Sequence, residues 1–326
     1  MKVVCLPGDG IGAEVTTAAQ DVLAVLAPDL ELEDHLFGGA AIIATGTPAP
    51  DETVTACRAA DAVLLGAVGL PQFDAADVRP EQGLLALRKA LDVYANLRPA
   101  RQGAIDLLVV RELVGGLYFG AKGTRDDGTV FDTCEYHPSQ IERIARRGFE
   151  IARGRRGRVA SVDKANVLET SRLWRRVVTE VAADYPDVEL DHLLVDSVAM
   201  RLVTEPEYFD VILTENTFGD ILSDEASALT GGLGLAASAS LGDAGPGIFE
   251  PVHGSAPDIA GRGIANPAAM LRSAALMLDH GLGRREDAQR LSAAVDTAIE
   301  EAPTPDLGGS ATTADMTAAV IDALAR

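Results

Sequence analysis

Cysteine is scarce in this chain of 326 residues: there are three, Cys5, Cys57 and Cys134. So few and so far apart, they build neither a disulfide framework nor a metal-binding knuckle. Cys5 and Cys57 lie in apolar patterns suited to a core. Basic charge is also short, with 28 Lys and Arg against 49 Asp and Glu, a net charge of −21. A surface that acidic repels a phosphate backbone, which argues against a nucleic-acid partner. The one basic cluster, residues 143–158, keeps its apolar residues at helical spacing and reads as the solvated face of an amphipathic helix. No apolar run reaches the length of a membrane span. The first ten residues turn polar after five and lack the apolar region of a secretory signal. These absences lead us to expect a reduced, cytoplasmic protein without a membrane partner. Internal repeats and low-complexity segments are missing too.

What is present is alternation. Hydrophobic residues make up 47% of the chain, normal for a globular protein, and the length suffices for two domains. Short apolar runs at 2–6, 62–65, 106–110, 158–162, 189–195 and 210–213 read as strands. Between and after them, helical periodicity covers 11–26, 83–91, 138–153, 167–184, 268–279, 284–300 and 312–324. Strands alternating with helices predict an α/β protein with largely parallel pairing. Residues 115–133 differ: Leu117-Tyr118-Phe119 and Thr129-Val130-Phe131 flank a Gly/Asp-rich turn, so a protruding hairpin is expected. The Ala- and Gly-crowded stretch 231–247 suggests a flexible crossover.

The most informative local feature is the pair Asp220 and Asp224, four apart in Phe-Gly-Asp-Ile-Leu-Ser-Asp. On a helix both carboxylates leave from one face, and no basic residue lies between them. Taken alone, such a pair is a solvated helix face. Behind an apolar run and a polar turn, with Asp196 upstream, it suits a hard divalent cation at the edge of an α/β sheet. The segment Gly8-Asp9-Gly10-Ile11-Gly12 follows the first strand, but its glycine spacing is wrong for the G-x-G-x-x-G dinucleotide fingerprint.

Several segments, read in order, resemble one family. They are Pro7-Gly8-Asp9-Gly10-Ile11-Gly12, Leu84-Leu85-Ala86-Leu87-Arg88, Asn96-Leu97-Arg98-Pro99 and Val110-Arg111-Glu112. The series continues through Gly116-Leu117-Tyr118-Phe119-Gly120, Asp163-Lys164-Ala165-Asn166-Val167-Leu168 and the aspartate pair. It closes on Phe249-Glu250-Pro251-Val252-His253-Gly254-Ser255-Ala256-Pro257-Asp258 and Ala265-Asn266-Pro267. The whole chain is similar to the β-decarboxylating isocitrate/isopropylmalate dehydrogenase family. The resemblance implies a two-domain α/β fold with a discontinuous first domain, distinct from the Rossmann fold. Residues 1–93 and 231–326 would bind nucleotide; residues 94–230, with a hairpin arm at 115–133, would hold metal, substrate and a dimer partner.

The same resemblance implies NAD- and Mg²⁺- or Mn²⁺-dependent oxidative decarboxylation of 3-isopropylmalate to 4-methyl-2-oxopentanoate, a step of leucine biosynthesis. A sister activity on D-malate, tartrate or another 3-alkylmalate is an alternative, as is a non-catalytic regulatory subunit. Arg88, Arg98 and Arg111 would hold the malate carboxylates, as guanidinium forks do. Leu84, Leu85 and Val167, the last from a partner subunit, would meet the C3 substituent, with Asp220 also touching substrate. Asp196, Asp220 and Asp224 would bind the metal, while Lys164 takes the hydroxyl proton and Tyr118 helps protonate the enol. Cofactor contacts fall to Ile11, Glu250, His253, Gly254, Ser255, Ala256, Asp258 and Asn266. A carboxylate at Asp258 accepts from a ribose 2′-hydroxyl and repels a 2′-phosphate, hence NAD. A homodimer with shared active sites completes the picture. One departure is plain: only twelve residues separate Arg98 from Arg111, so a surface loop common in the family is shortened here.

Overall fold

The computed structural model describes Met1–Arg326 throughout. It divides into two compact units, Met1–Val93 with Gly231–Arg326, and Tyr94–Thr230. In chain order, the first unit opens with β1 (Lys2–Gly8), α1 (Gly12–Leu26), β2 (Glu31–Asp34), α2 (Gly38–Thr45), α3 (Asp51–Ala59), β3 (Ala62–Ala67) and α4 (Pro80–Ala90). The second contains β4 (Ala95–Gln102), β5 (Ile105–Glu112), β6 (Lys122–Thr124), β7 (Val130–Asp132), α5 (Pro138–Arg153) and β8 (Arg158–Asp163). It goes on through α6 (Glu169–Ala182), β9 (Glu189–Leu194), α7 (Val195–Thr204), β10 (Val211–Thr214) and α8 (Asn216–Leu229). The chain then returns to the first unit with β11 (Ala237–Leu241), β12 (Gly247–Pro251), α9 (Ala268–Leu276), α10 (Arg285–Glu301) and α11 (Thr313–Leu324).

In the first unit the strand order is β2-β1-β3-β12-β11, all parallel neighbours except the β11–β12 hairpin. Val4, Leu6, Val63, Leu65 and Ile248 come off these strands into one core with Phe37, Cys57 and Leu87. The stretch 231–247, expected to be a flexible crossover, contains the buried strand β11. Its alanines and serines are buried where β11 pairs antiparallel with β12.

In the second unit the order is β4-β5-β10-β8-β9, parallel except for β4 against β5. Its core joins Leu107, Val109, Val162 and Ile212 to Val198, Phe209 and Leu222. The shortened segment becomes a tight hairpin: Gln102 pairs Ile105 across a turn of Gly103 and Ala104. On that ladder Asn96 faces Arg111 and Arg98 faces Val109, so Asn96, Arg98 and Arg111 all project from one face. Helix α5 buries Ile141, Ile144, Ala145, Gly148, Phe149 and Ala152, the stripe a 3.6-residue period dictates.

Two expectations need correction here. Leu117 is not in a hairpin strand: Gly116–Tyr118 is one 3-10 turn, and the hairpin strands are the three-residue β6 and β7. The basic cluster is not all solvated face either. Arg155 pairs with Asp106 and with the fully buried side chain of Asp210, whose other oxygen accepts from the backbone of Arg156 and Arg158. A buried carboxylate needs such partners, and the sequence pattern does not reveal them.

Candidate active site

The first unit builds its site from backbone. Gly10 has φ +56°, and a Cβ there would stand 2.0 Å from the Ser255 carbonyl oxygen. Glycine alone permits that approach, and the Ile11 N–H then donates to the Ser255 oxygen at 2.8 Å. The β1–α1 turn and the loop at 250–258 are thereby brought together. Asp9, 2% exposed, holds the turn from the other side. Its carboxylate accepts from the backbone of Gly39, Ala40 and Gly69 at 2.8–2.9 Å.

Within the loop, Ala256 sits at φ +38°, a conformation that costs energy in any residue with a Cβ and collects at functional sites. His253 places Nδ1 2.9 Å from the Gly254 oxygen, so Nδ1 carries the proton and Nε2 is an acceptor. That Nε2 is buried and has no partner. Burial holds the imidazole pKa below its ordinary value, keeping the ring neutral. Gly254 and Asp258 are exposed, while Ile11 and Ser255 are buried. Asn266 is more committed than the sequence suggests. Its Oδ1 accepts from the Ala268 backbone as α9 begins, and its Nδ2 donates to Asp306.

On α4, Leu87 lies in the core and part-buried Leu84 packs against it, while Leu85, also part-buried, lies one turn before Arg88. Arg88 is buried and pairs with Glu250 at 2.9 Å, so two residues expected to serve substrate and cofactor touch each other. The Arg88 Nε is buried without a hydrogen-bond partner, a donor directed at nothing in the chain.

The second unit builds its site from charge, at the carboxyl edge of its parallel strands. Arg111 ends β5, and Asp220 and Asp224 ride the first turns of α8, which follows β10. A Cβ at Gly219 would stand 2.7 Å from the Arg111 side chain, so the glycine lets that arginine lie across the helix. Arg111 meets Asp220 through Nη1; Arg98 reaches Asp220 at 3.3 Å and Asp224 at 3.1 Å. Tyr118, delivered by the 3-10 turn, donates its hydroxyl to Asp220 Oδ2 at 3.0 Å. Burial raises the Asp220 pKa, but Arg111 and Arg98 outweigh it and leave the carboxyl below its ordinary value. Asp224 is raised, by burial first and, against the pull of Arg98, by its neighbour Asp220. Tyr118 is raised by burial and by Asp220, so its phenol keeps its proton.

Lys164 and Asp196 stand after β8 and β9, adjacent parallel strands, and form an ion pair with each other. The Lys164 backbone N–H is held by Ser171 Oγ at 3.0 Å. Asp196 does not join Asp220 and Asp224: no group of three or more potential metal-ligating side chains forms within one chain. Val167 is exposed beside Lys164. Two residues in this architecture went unrecognised in the sequence. Asn216 anchors Arg111, and its only signal is a buried amide type at a strand–helix junction. Asp9 lies between two glycines, which marks a turn but not its three backbone partners.

The model of isocitrate/isopropylmalate dehydrogenases matches residues 2–320. The chain belongs to this family. It is 51% identical over 346 aligned positions to the 3-isopropylmalate dehydrogenase of Oceanobacillus iheyensis, covering 98% of this chain and 94% of that one. It is 52% identical over 348 positions to that of Deinococcus radiodurans, covering 99% and 97%. Both alignments exceed the 326 residues here, so these relatives carry residues this family member lacks. Among solved structures, isocitrate dehydrogenase from Methylococcus capsulatus superposes with TM-score 0.93 at 38% identity, covering 100% of this chain and 99% of that one. A β-decarboxylating dehydrogenase from Thermococcus kodakarensis gives 0.87 at 40%, covering 99% and 96%. The fold is therefore the family's two-domain α/β fold, and membership implies a nicotinamide cofactor and a divalent cation. The residues present fit both. Asp220 and Asp224 offer hard oxygens from one helix face, and a cation would offset the burial and the Asp220 charge that raise Asp224. The unpaired His253 Nε2 and the open loop at Gly254 suit a nucleotide. No helix of the chain is long and apolar enough to cross a membrane.

Proposed function

We propose that this dehydrogenase oxidises and decarboxylates 3-isopropylmalate with NAD⁺, producing 4-methyl-2-oxopentanoate. The observation that carries the reading is the shared face of Arg98 and Arg111, set against Asp220 and Tyr118. That is a dicarboxylate receptor with a proton donor built in. Its relatives at 51–52% identity bear the name of that activity. Part-buried Leu84 and Leu85 offer the C3 substituent an apolar wall, which suits isopropyl and gives a third carboxylate no partner.

Arg98 and Arg111 would bind substrate carboxylates by their forks, with the unpaired Nε of Arg88 as a further donor. Asp220 and Asp224, with Asp196 of a second copy, would hold a Mg²⁺ or Mn²⁺ that supplies Lewis acidity, and bound NAD⁺ would supply the hydride acceptor. Lys164, in its neutral amine form, would take the hydroxyl proton at Nζ. Once the C3 carboxylate has left as CO₂, the protonated Tyr118 hydroxyl returns a proton at C3. Ile11, Glu250, His253, Ser255, Ala256, Asp258 and Asn266 would surround the cofactor, Asp258 at the ribose.

Sites shared within a homodimer are part of the same proposal. Lys164 and Asp196 engage each other and not the Asp220 group, as residues destined for a neighbour's site would. Met200 and Val203 on α7, Ile221 on α8 and Val130 on the hairpin are all exposed in one chain, an apolar surface that a second copy would cover. Lys164→Ala and Asp220→Asn variants, each inactive alone, should regain activity on subunit exchange. Recovery fails if each chain completes its own site. The substrate is tested by NADH formation with 3-isopropylmalate and Mn²⁺ beside malate, tartrate and isocitrate. Faster turnover of any of the other three overturns the assignment.

A further inference from the structure

We infer that Asn216 is the positioning residue that sets both Arg111 and Tyr118, an inference that rests on the reaction proposed above. Asn216 opens α8 and is 1% exposed. Its side-chain amide is used to capacity. Oδ1 accepts from Arg111 Nε at 3.0 Å and from Nη2 at 2.7 Å. Nδ2 donates to the backbone oxygens of Leu113 at 3.1 Å and Gly115 at 3.0 Å. Its own backbone N–H donates to the Tyr136 hydroxyl at 2.9 Å.

The two halves of the amide therefore act on two different groups. The acceptor half grips one edge of the Arg111 guanidinium and fixes its rotation, so that Nη1 meets Asp220. An uncharged oxygen does this without adding a second negative charge to that of Asp220 beside the guanidinium. The donor half holds the short path from β5 to the 3-10 turn carrying Tyr118. Along that path the Leu113 N–H donates to the Tyr94 oxygen, the N–H groups of Val114 and Gly115 are held by Glu112, and the carbonyls of Leu113 and Gly115 by Asn216. Aspartate here would place a second carboxylate on the guanidinium beside Asp220 and set it against two carbonyl oxygens. Alanine would free both groups at once.

The experiment compares Asn216→Ala and the isosteric Asn216→Asp in the full-length enzyme. Hydrogen exchange of amides 113–119 should accelerate in both, with exchange elsewhere unchanged. With the malate substrate, Asn216→Ala should raise KM and lower kcat by about tenfold each, and leave the KM for NAD⁺ unaltered. The kcat loss should shrink when Asn216→Ala is made in a Tyr118→Phe background, and the KM loss in an Arg111→Lys background, because residues acting through one another are not additive. Additive losses, or unchanged exchange at 113–119, overturn the inference. Should Asn216→Ala fail to fold, Asn216→Asp carries the same cycles. If the parent enzyme oxidises no 3-isopropylmalate yet the exchange result holds, the substrate reading fails and the placement of Arg111 and Tyr118 by Asn216 stands.

Discussion

The two units solve the same problem, presenting chemistry at a sheet edge, with opposite materials. In the first, glycine and backbone shape the β1–α1 turn, and its side-chain anchor, Asp9, bonds only backbone N–H groups. In the second, arginine, aspartate, tyrosine and asparagine bond one another through side chains. A backbone site loses shape when an anchor is removed. A side-chain site loses function while the surrounding fold persists. The contrast can be broken or sharpened by substitution.

The largest effect belongs to the charged site. Asp220→Asn should reduce kcat/KM by about three orders of magnitude, because the carboxylate bonds two arginines and a tyrosine and, in the proposed function, holds the metal. Thermal unfolding should change far less than activity, and a melt beside an NADH assay checks both. Full activity at low metal concentration would mean that Asp220 is not a metal ligand.

Asp9→Ala should act on the other side of the comparison. Three backbone donors lose their acceptor, at a cost of about 3 kcal/mol. Urea unfolding measures it, and a loss below about 1 kcal/mol would show that water replaces the carboxylate.

Glu112 gives a pH-dependent effect of similar size. Burial raises its pKa from 4.5 to about 7, with backbone N–H groups and Arg143 pulling the other way. The folded protein then holds a proton between those values that the unfolded chain has lost. Stability from this group is full below pH 4.5 and declines as pH rises toward 7. Glu112→Gln should flatten that decline, by about 3 kcal/mol across the window. Parallel pH profiles for parent and variant would remove Glu112 as its source.

Smallest is Asp258→Lys on the exposed loop. The NAD⁺-over-NADP⁺ preference in kcat/KM should fall by about tenfold, roughly the worth of one charge-assisted bond to ribose. The melting temperature should stay put. A preference that does not move places the ribose elsewhere.

Much of this was legible where a pattern repeats. The period of α5 predicts its boundaries, Pro138–Arg153, because proline at the first helical position and a regular apolar stripe are both local signals. Strands β1, β8 and β10 are apolar runs buried on both faces, and they show as such. By contrast β2, Glu-Leu-Glu-Asp, is a polar edge strand, and β4 carries a proline and two arginines. Neither has an apolar run, although β4 buries Ala95, Asn96, Leu97 and Ala100. Leu117-Tyr118-Phe119 looked like strand for the opposite reason: aromatic and aliphatic residues favour sheets, but tertiary contacts with Asp220 and the Asn216-held path impose a turn.

The sequence by itself settled the family, the alternation of strand and helix, and the identity of the charged residues, because periodicity and residue type are local properties of a chain. It placed Asp220 and Asp224 on one helix face by spacing alone. Only the tertiary structure decided which charges meet. Arg98 and Arg111 share a face because a two-residue turn sets the β4–β5 register. Arg88 pairs with Glu250, 162 positions away, and Lys164 with Asp196 across neighbouring strands. Coulomb energy and hydrogen bonding depend on distance and direction in space, and a sequence orders residues only along the chain.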